Sequence, residues 1–151
     1  MPGGSGFQSF RVSEFQSCRV VEMATVRRFE ELEVWADARE LCKKIRKLVN
    51  QTELLKDFAL KNQILGSSGS VMDNIAEGFE RDGRKEFLNF LYIAKGSLGE
   101  TRSQIHRAYD SGYLNETTCN EILNDCLNLS GKLSHFIKYI KTTTHQGLKK
   151  L

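Results

Sequence analysis

The stretch KEFLNFLYIAKGSLGETRSQIHRA, residues 85–108, decides the fold. Apolar or small residues recur in it at alternating steps of four and three: Phe87, Leu91, Ala94, Leu98, Thr101, Ile105 and Ala108. This spacing places them on one stripe of an α-helix and is the seam pattern of a helical bundle. A long helix with one apolar stripe must bury that stripe against other helices. We therefore expect a helix that begins near Gly83 and ends before Gly112.

Three further segments show a helical period, at residues 30–51, at residues 57–77 and from residue 115 onward. Asp57 and Asn115 are predicted to cap the second and fourth helices, and Gly78 is predicted to end the second in a left-handed conformation. The only proline is Pro2, so no proline interrupts these segments. Four helices with short links predict an all-α, antiparallel, up-down-up-down four-helix bundle.

The length of 151 residues, with 40% hydrophobic and 27% charged residues, is that of one globular domain. Residues 1–26 have no sustained period and are expected to be disordered or an added leader. The bundle is expected at 27–142 and a basic tail at 143–151. There is no apolar run of membrane length and no secretory pattern, so we expect no membrane partner and a cytoplasmic location. Four cysteines without a C-x-x-C pair are expected to be reduced: Cys18, Cys42, Cys119 and Cys126.

The residue types that carry catalysis do not converge in the sequence. No histidine follows a glutamate by three residues, as a di-iron bundle requires. Cys119 and Cys126 lie two helical turns apart, roughly 10 Å, which is too far to share a zinc ion. We expect no catalytic residue, no metal and no cofactor, and hence a protein that is not an enzyme. One alternative stays open: Glu77 and Glu100 could form an acid/base pair in a small enzyme or ligand-binding bundle if their helices face each other.

A polar stripe runs beside the apolar one on the second and third helices. Its members recur at steps of three and four: Gln63, Ser67, Ser70, Asn74 and Glu77, then Ser97, Glu100 and Gln104. A stripe that only faced water would not need such small, mostly uncharged residues. We predict that much of it is buried as a hydrogen-bond network, either between these two helices or at a subunit interface. The structural or interface residues are then Gln63, Ser70, Asn74, Glu77, Ser97 and Glu100.

The formal charge of +3 is mildly basic, and its distribution suggests one candidate contact surface. In an antiparallel bundle, the turn between the second and third helices lies beside the end of the fourth. That end collects five candidate nucleic-acid contacts: Arg81, Arg84, Lys85, Lys138 and Lys141. We call this set the basic pole, and we expect acids at the start of the first helix to offset it in part. A second basic group surrounds the first helix: Lys43, Lys44, Arg46 and Lys47.

Several motifs together resemble one bacterial family. They are residues 29–35 (FEELEVW) followed by Ala38, residues 70–79 (SVMDNIAEGF), residues 85–94 (KEFLNFLYIA), residues 96–100 (GSLGE) and residues 111–114 (SGYL). Over about residues 27–142 the chain is similar to the four-helix bundle proteins of the 23S ribosomal-RNA intervening-sequence (S23) family. Many members have a proline after the serine of the central motif, where this chain has Val71 and Met72.

The resemblance implies an antiparallel four-helix bundle that assembles as a ring-like homo-oligomer, a pentamer. Some members are encoded within intervening sequences of large-subunit ribosomal RNA genes. A related accessory protein of diversity-generating retroelements binds nucleic acid and a reverse transcriptase. The expected partners are therefore further copies of the chain, RNA or DNA, and a nucleic-acid enzyme. The family has no established catalytic residues, so the resemblance implies none here.

Overall fold

The computed structural model describes residues 26–81 and 83–143. Within them lie four α-helices and no strand: α1 (Glu33–Gln51), α2 (Phe58–Glu80), α3 (Arg84–Asp110) and α4 (Glu116–Thr142). Short 3-10 turns, Phe29–Glu31 and Glu53–Lys56, precede α1 and α2. Most of the predicted leader and tail lies outside the described residues. Val26, which was assigned to the leader, is buried in the core. The predicted all-α class is confirmed.

The four helices form a closed antiparallel bundle. Each packs against its neighbour in the chain, and α1 packs against α4. Two pairs of neighbouring helices have side-chain bonds at two different heights of the bundle. In both pairs the residue number rises along one helix while it falls along the other. The pairs are Ser67–Thr101 and Ser70–Ser97 between α2 and α3, and Asp37–Lys132 and Lys44–Asp125 between α1 and α4. This order confirms the up-down-up-down topology.

The core follows the predicted stripes. All seven residues of the stripe on α3 are buried, from Phe87 to Ala108. Facing them are Ile64, Val71 and Ile75 on α2, each fully buried, and the seam of α4. The first helix departs from prediction at its start, because Leu32 is extended and α1 begins at Glu33. Val34 is buried, and the ring of the neighbouring Trp35 packs half-buried against the edge of the Phe29 ring, with 5.1 Å between the ring centres.

The helix ends are set by caps and glycines, with one correction. The Asp57 carboxylate accepts a hydrogen bond from the Leu60 amide at 3.0 Å, and the Asn115 side chain accepts one from Thr118 at 2.8 Å. Both predicted caps are confirmed. The prediction that Gly78 ends α2 in a left-handed conformation is wrong, because the helix continues through it to Glu80. In the described residues only Gly83 and Gly112 have positive φ, at 112° and 78°.

Position 78 requires a glycine for a different reason, because α3 approaches α2 closely there. A Cβ at this position would lie 2.6 Å from Phe90 Cβ and 3.0 Å from Phe87 Cδ2. Only a residue without a side chain leaves room for the two phenylalanines. The sequence could not show this contact, because it depends on how two helices meet.

The thiols of the bundle are unpaired and largely buried. Cys119 and Cys126 are buried on α4, and Cys42 is half-buried on α1, with its Sγ donating to the Ser68 carbonyl at 3.1 Å. Cys18 lies outside the described residues. No helix in the described ranges has the length and apolar character to cross a membrane.

We expect the fold to weaken at alkaline pH because of Cys126. Burial is the main reason that its pKa rises from 9.0 to about 12. Between those values the thiol ionises in the unfolded chain but stays protonated in the folded one. The folded chain then binds more protons, so the free energy of unfolding falls as pH rises, by on the order of 1 kcal/mol per pH unit. Urea unfolding at pH 8 and pH 10 measures the loss.

Cys126→Ala is the control for this effect. The variant is less stable than the wild type at both pH values because it leaves a cavity. Its free energy of unfolding should nevertheless fall less than that of the wild type between pH 8 and pH 10. Cys42 and Cys119, whose pKa values burial also raises, are present in both proteins and do not affect the difference. If the free energy of unfolding fell equally in the two proteins, the alkaline destabilisation could not be assigned to Cys126.

Candidate nucleic-acid and interface surfaces

The structure brings the two halves of the basic pole together. The guanidinium of Arg84, at the start of α3, donates to the backbone carbonyls of Lys141 and, at 2.7 Å, Thr143 at the end of α4. The last carbonyls of a helix have no partners within it and carry partial negative charge. Arg84 therefore caps the C-terminal end of α4, and its guanidinium points toward the protein.

Two more cations of the basic pole also have partners within the chain. Arg81 donates to the Glu77 carboxylate at 2.8 Å, and its guanidinium lies 5.0 Å from the centre of the Phe90 ring. The Lys141 ammonium lies 5.2 Å from the centre of the Tyr92 ring. Such cation–π contacts hold a side chain in place without neutralising its charge.

Lys85 and Lys138 complete the basic pole, and both are exposed. Within the described ranges the ammonium group of neither makes an ion pair or a hydrogen bond. The acids expected to offset the pole are partly occupied, since Lys132 donates to Glu33 at 2.7 Å and to Asp37 at 2.5 Å. The basic pole therefore has two lysines whose side chains lack a partner among the described residues, one lysine held over a ring, and two arginines bonded within the chain. A nucleic-acid contact there stays a prediction.

The polar stripes form a network between α2 and α3. Ser67 Oγ lies 2.8 Å from the Thr101 hydroxyl and donates to Gln104 Oε1 at 2.6 Å. Nearly one turn away, the hydroxyls of Ser70 and Ser97 are 3.0 Å apart. Ser67 and Ser97 are buried, and Thr101 is fully buried. Thr101 was assigned to the apolar seam by its spacing, so its polar role was missed.

The other residues of the predicted polar set lie at the edge of this network or outside it. Asn74 is half-buried, and its amide donates only within its own helix, to the carbonyl and hydroxyl of Ser70. Gln63 is exposed and accepts a hydrogen bond from Arg107 at 2.8 Å. Glu77 and Glu100 are exposed. Within one chain, burial therefore holds for Ser67 and Ser97, while Ser70 is half-buried like Asn74. The longer side chains of the set keep their charge or amide in water. Their part in a subunit interface stays a prediction.

Glu77 and Glu100 do not meet within the chain. Glu100 precedes Thr101, which contacts Ser67, and Ser67 lies ten residues before Glu77 on α2. At 1.5 Å per residue, the two positions are more than about 10 Å apart along the bundle. The Glu77 carboxylate also bonds to Arg81, on the side away from Glu100. The acid/base pair of the alternative interpretation is therefore not assembled here.

The fold and the surface define a small four-helix bundle protein with a polar α2–α3 seam and clustered surface cations. The chain belongs to the family of 23S rRNA-intervening sequence proteins, whose family model matches residues 30–135. This match confirms the resemblance drawn from the sequence motifs.

A solved structure shows the same fold. It is the crystal structure, at 1.70 Å resolution, of a protein with unknown function from the S23 ribosomal protein family of Bacteroides thetaiotaomicron. The two chains are 28% identical, and they align with a TM-score of 0.63 over 70% of this chain and 98% of that one. No curated protein matches the chain.

Proposed function

We propose that this protein is a non-enzymatic, homo-oligomeric scaffold that binds RNA or DNA, or an enzyme that acts on nucleic acid, in the cytoplasm. The observation that carries the proposal is membership in a family named for the intervening sequence of 23S rRNA. That name makes structured RNA the first partner to test. The clustered surface cations supply the charge that a phosphate backbone needs.

The outer surface of α3 supports the oligomer. Ile93 is 50% exposed, and Gly96 and Gly99 have no atom within 4 Å of where a Cβ would lie. Each mid-helix glycine costs about 1 kcal/mol relative to alanine, and no contact among residues 26–81 and 83–143 requires either one. A neighbouring subunit whose backbone approached α3 closely would account for both. The resemblance implies a pentamer as the assembly.

A titration with structured RNA tests the nucleic-acid part of the proposal. Binding of the full chain to a labelled RNA hairpin is followed by fluorescence anisotropy at several salt concentrations. Phosphate contacts release counterions, so the affinity must fall steeply as salt rises. An absence of binding even at low salt would remove RNA as a partner.

A further inference from the structure

An open groove of about 580 Å³ lies along the outer side of α1, where α1 meets α2. We call it the α1 groove. It is lined by Arg39, Cys42, Lys43, Arg46, Lys47, Asn50 and Gln51 of α1 and by Met72 of α2. Four of these eight residues are cations, and none is a carboxylate. The groove is therefore a concave surface whose charged side chains are all positive.

The structure divides the basic group that the sequence places around the first helix. Lys44 turns toward α4, where its ammonium lies 2.6 Å from Asp125 and 3.8 Å from Glu121. Lys43, Arg46 and Lys47 turn instead into the α1 groove, where Arg39 joins them. Positions 39, 43, 46, 47 and 50 share one face of a helix, so the spacing of Arg39 was available in the sequence.

The cations of the α1 groove are weakly held by the rest of the chain. The side chains of Arg46 and Lys47 make no ion pair or hydrogen bond within the described ranges. Lys43 bonds to Glu40 at 2.7 Å, but both side chains are more than half exposed, and such surface pairs contribute little. Arg39 lies 5.8 Å from the centre of the Trp35 ring, a contact that leaves its charge available.

The nearby acids offset only part of this charge. Glu40 borders the α1 groove beside Lys43, and Asp73 of α2 lies near Cys42. Burial first, and the charge of Asp73 in addition, raise the pKa of the Cys42 thiol. The lining therefore combines a neutral thiol and a methionine with four positively charged side chains.

The dimensions of the α1 groove suit a phosphate backbone. From Arg39 to Lys47 the helix rises about 12 Å, over which one strand of a duplex advances by three or four phosphates at about 3.4 Å each. Asn50 and Gln51 extend the row with amide donors, which commonly contact phosphate oxygens. No aromatic residue lines the groove, so bases have no ring to stack on. The lining also lacks the tryptophan and tyrosine anchors of a typical protein interface.

We propose that the α1 groove, and not the basic pole, is the surface through which this chain contacts the phosphate backbone of RNA or DNA, without reading its sequence. This inference rests on the nucleic-acid binding proposed above. It differs from the sequence-based prediction in location. The α1 groove gathers four cations in one concave lining without a carboxylate, whereas two arginines of the basic pole, Arg81 and Arg84, are bonded within the chain.

Two double variants with the same charge change separate the two surfaces. Arg46→Ala/Lys47→Ala removes two cations from the α1 groove, and Lys85→Ala/Lys138→Ala removes two from the basic pole. All four side chains are exposed, so both variants should fold, which circular dichroism and melting check. In the RNA anisotropy titration the groove variant should bind at least about tenfold more weakly, with a salt slope smaller by about two. The pole variant should change less than about twofold.

Each other outcome overturns part of the proposal. If the wild type binds no RNA at the lowest salt, both the RNA-binding function and the α1 groove fail. If the wild type binds and the groove variant binds equally well, the groove is wrong while the function stands. Equal losses of RNA affinity in both variants would mean that RNA contacts positive charge over the whole surface and that no groove is dedicated to it. Polyglutamate that binds as tightly as RNA, and loses affinity in the groove variant, would assign the groove to an acidic protein partner.

Discussion

Replacing Phe87 with alanine should lower the free energy of unfolding by about 3–5 kcal/mol, the largest effect expected here of a single substitution. Phe87 is 2% exposed and joins three helices. Its ring meets the edge of Phe79 on α2 at 5.9 Å and the edge of Phe136 on α4 at 5.6 Å. The variant loses the buried area, leaves a cavity and breaks both aromatic contacts. Urea unfolding at neutral pH measures the loss.

Phe58→Ala is the matched control for this prediction. Phe58 opens α2 and is 70% exposed, and the Lys61 ammonium lies 4.4 Å from the centre of its ring. Its replacement should cost less than about 1 kcal/mol. If the two variants were within about 1 kcal/mol of each other, the aromatic cluster would not be what holds this end of the bundle together.

Replacing Gly78 with alanine should destabilise the bundle, although the same change in an open helix is stabilising. The added Cβ meets Phe90 Cβ at 2.6 Å, closer than two such atoms can stand. Because that atom belongs to the stem of the side chain, a rotamer change cannot move it aside. The helices must shift, which costs about 1–3 kcal/mol in overpacked cores.

Gly131→Ala supplies the contrast. Gly131 lies within α4, is exposed and has no atom within 4 Å of the place that a Cβ would occupy. Alanine there should raise the free energy of unfolding by up to about 1 kcal/mol. The two variants should therefore move the melting temperature in opposite directions. Phe90→Ala should not rescue Gly78→Ala, since alanine keeps the clashing atom. A stabilised Gly78→Ala variant would refute the close approach.

The periodicity of single helices was enough to predict the fold class, the topology and most of the core. The stripe from Phe87 to Ala108 is buried as predicted, and the caps Asp57 and Asn115 act locally, within three residues. These features depend on spacing along one segment, which a sequence displays directly.

What the sequence did not reveal depends on contacts between segments. Gly78 was assigned to a helix end by its residue type, whereas its cause is Phe90 on the next helix. Thr101 followed the apolar spacing, yet its hydroxyl serves the network with Ser67. Arg84 was predicted as a candidate nucleic-acid contact, yet its guanidinium bonds to the end of α4. Periodicity predicts which face a residue occupies but not which group it meets there.

The two proposed surfaces place nucleic acid and subunit contacts on different sides of one bundle. The α1 groove lies between α1 and α2, while Gly96 and Gly99 lie on α3. A ring built through α3 would then repeat the groove once per subunit. Repeated sites on one assembly bind a long polyanion far more tightly than a single site does. Oligomer formation and nucleic-acid binding are thus expected to depend on each other.

The mass of the protein in solution tests the scaffold most directly. Light scattering coupled to size exclusion, at neutral pH and moderate salt, gives this mass without reference to shape. The proposed pentamer predicts five copies of the 17.2 kDa chain, about 86 kDa. A single species at 17.2 kDa over the accessible range of concentration would contradict the homo-oligomeric scaffold.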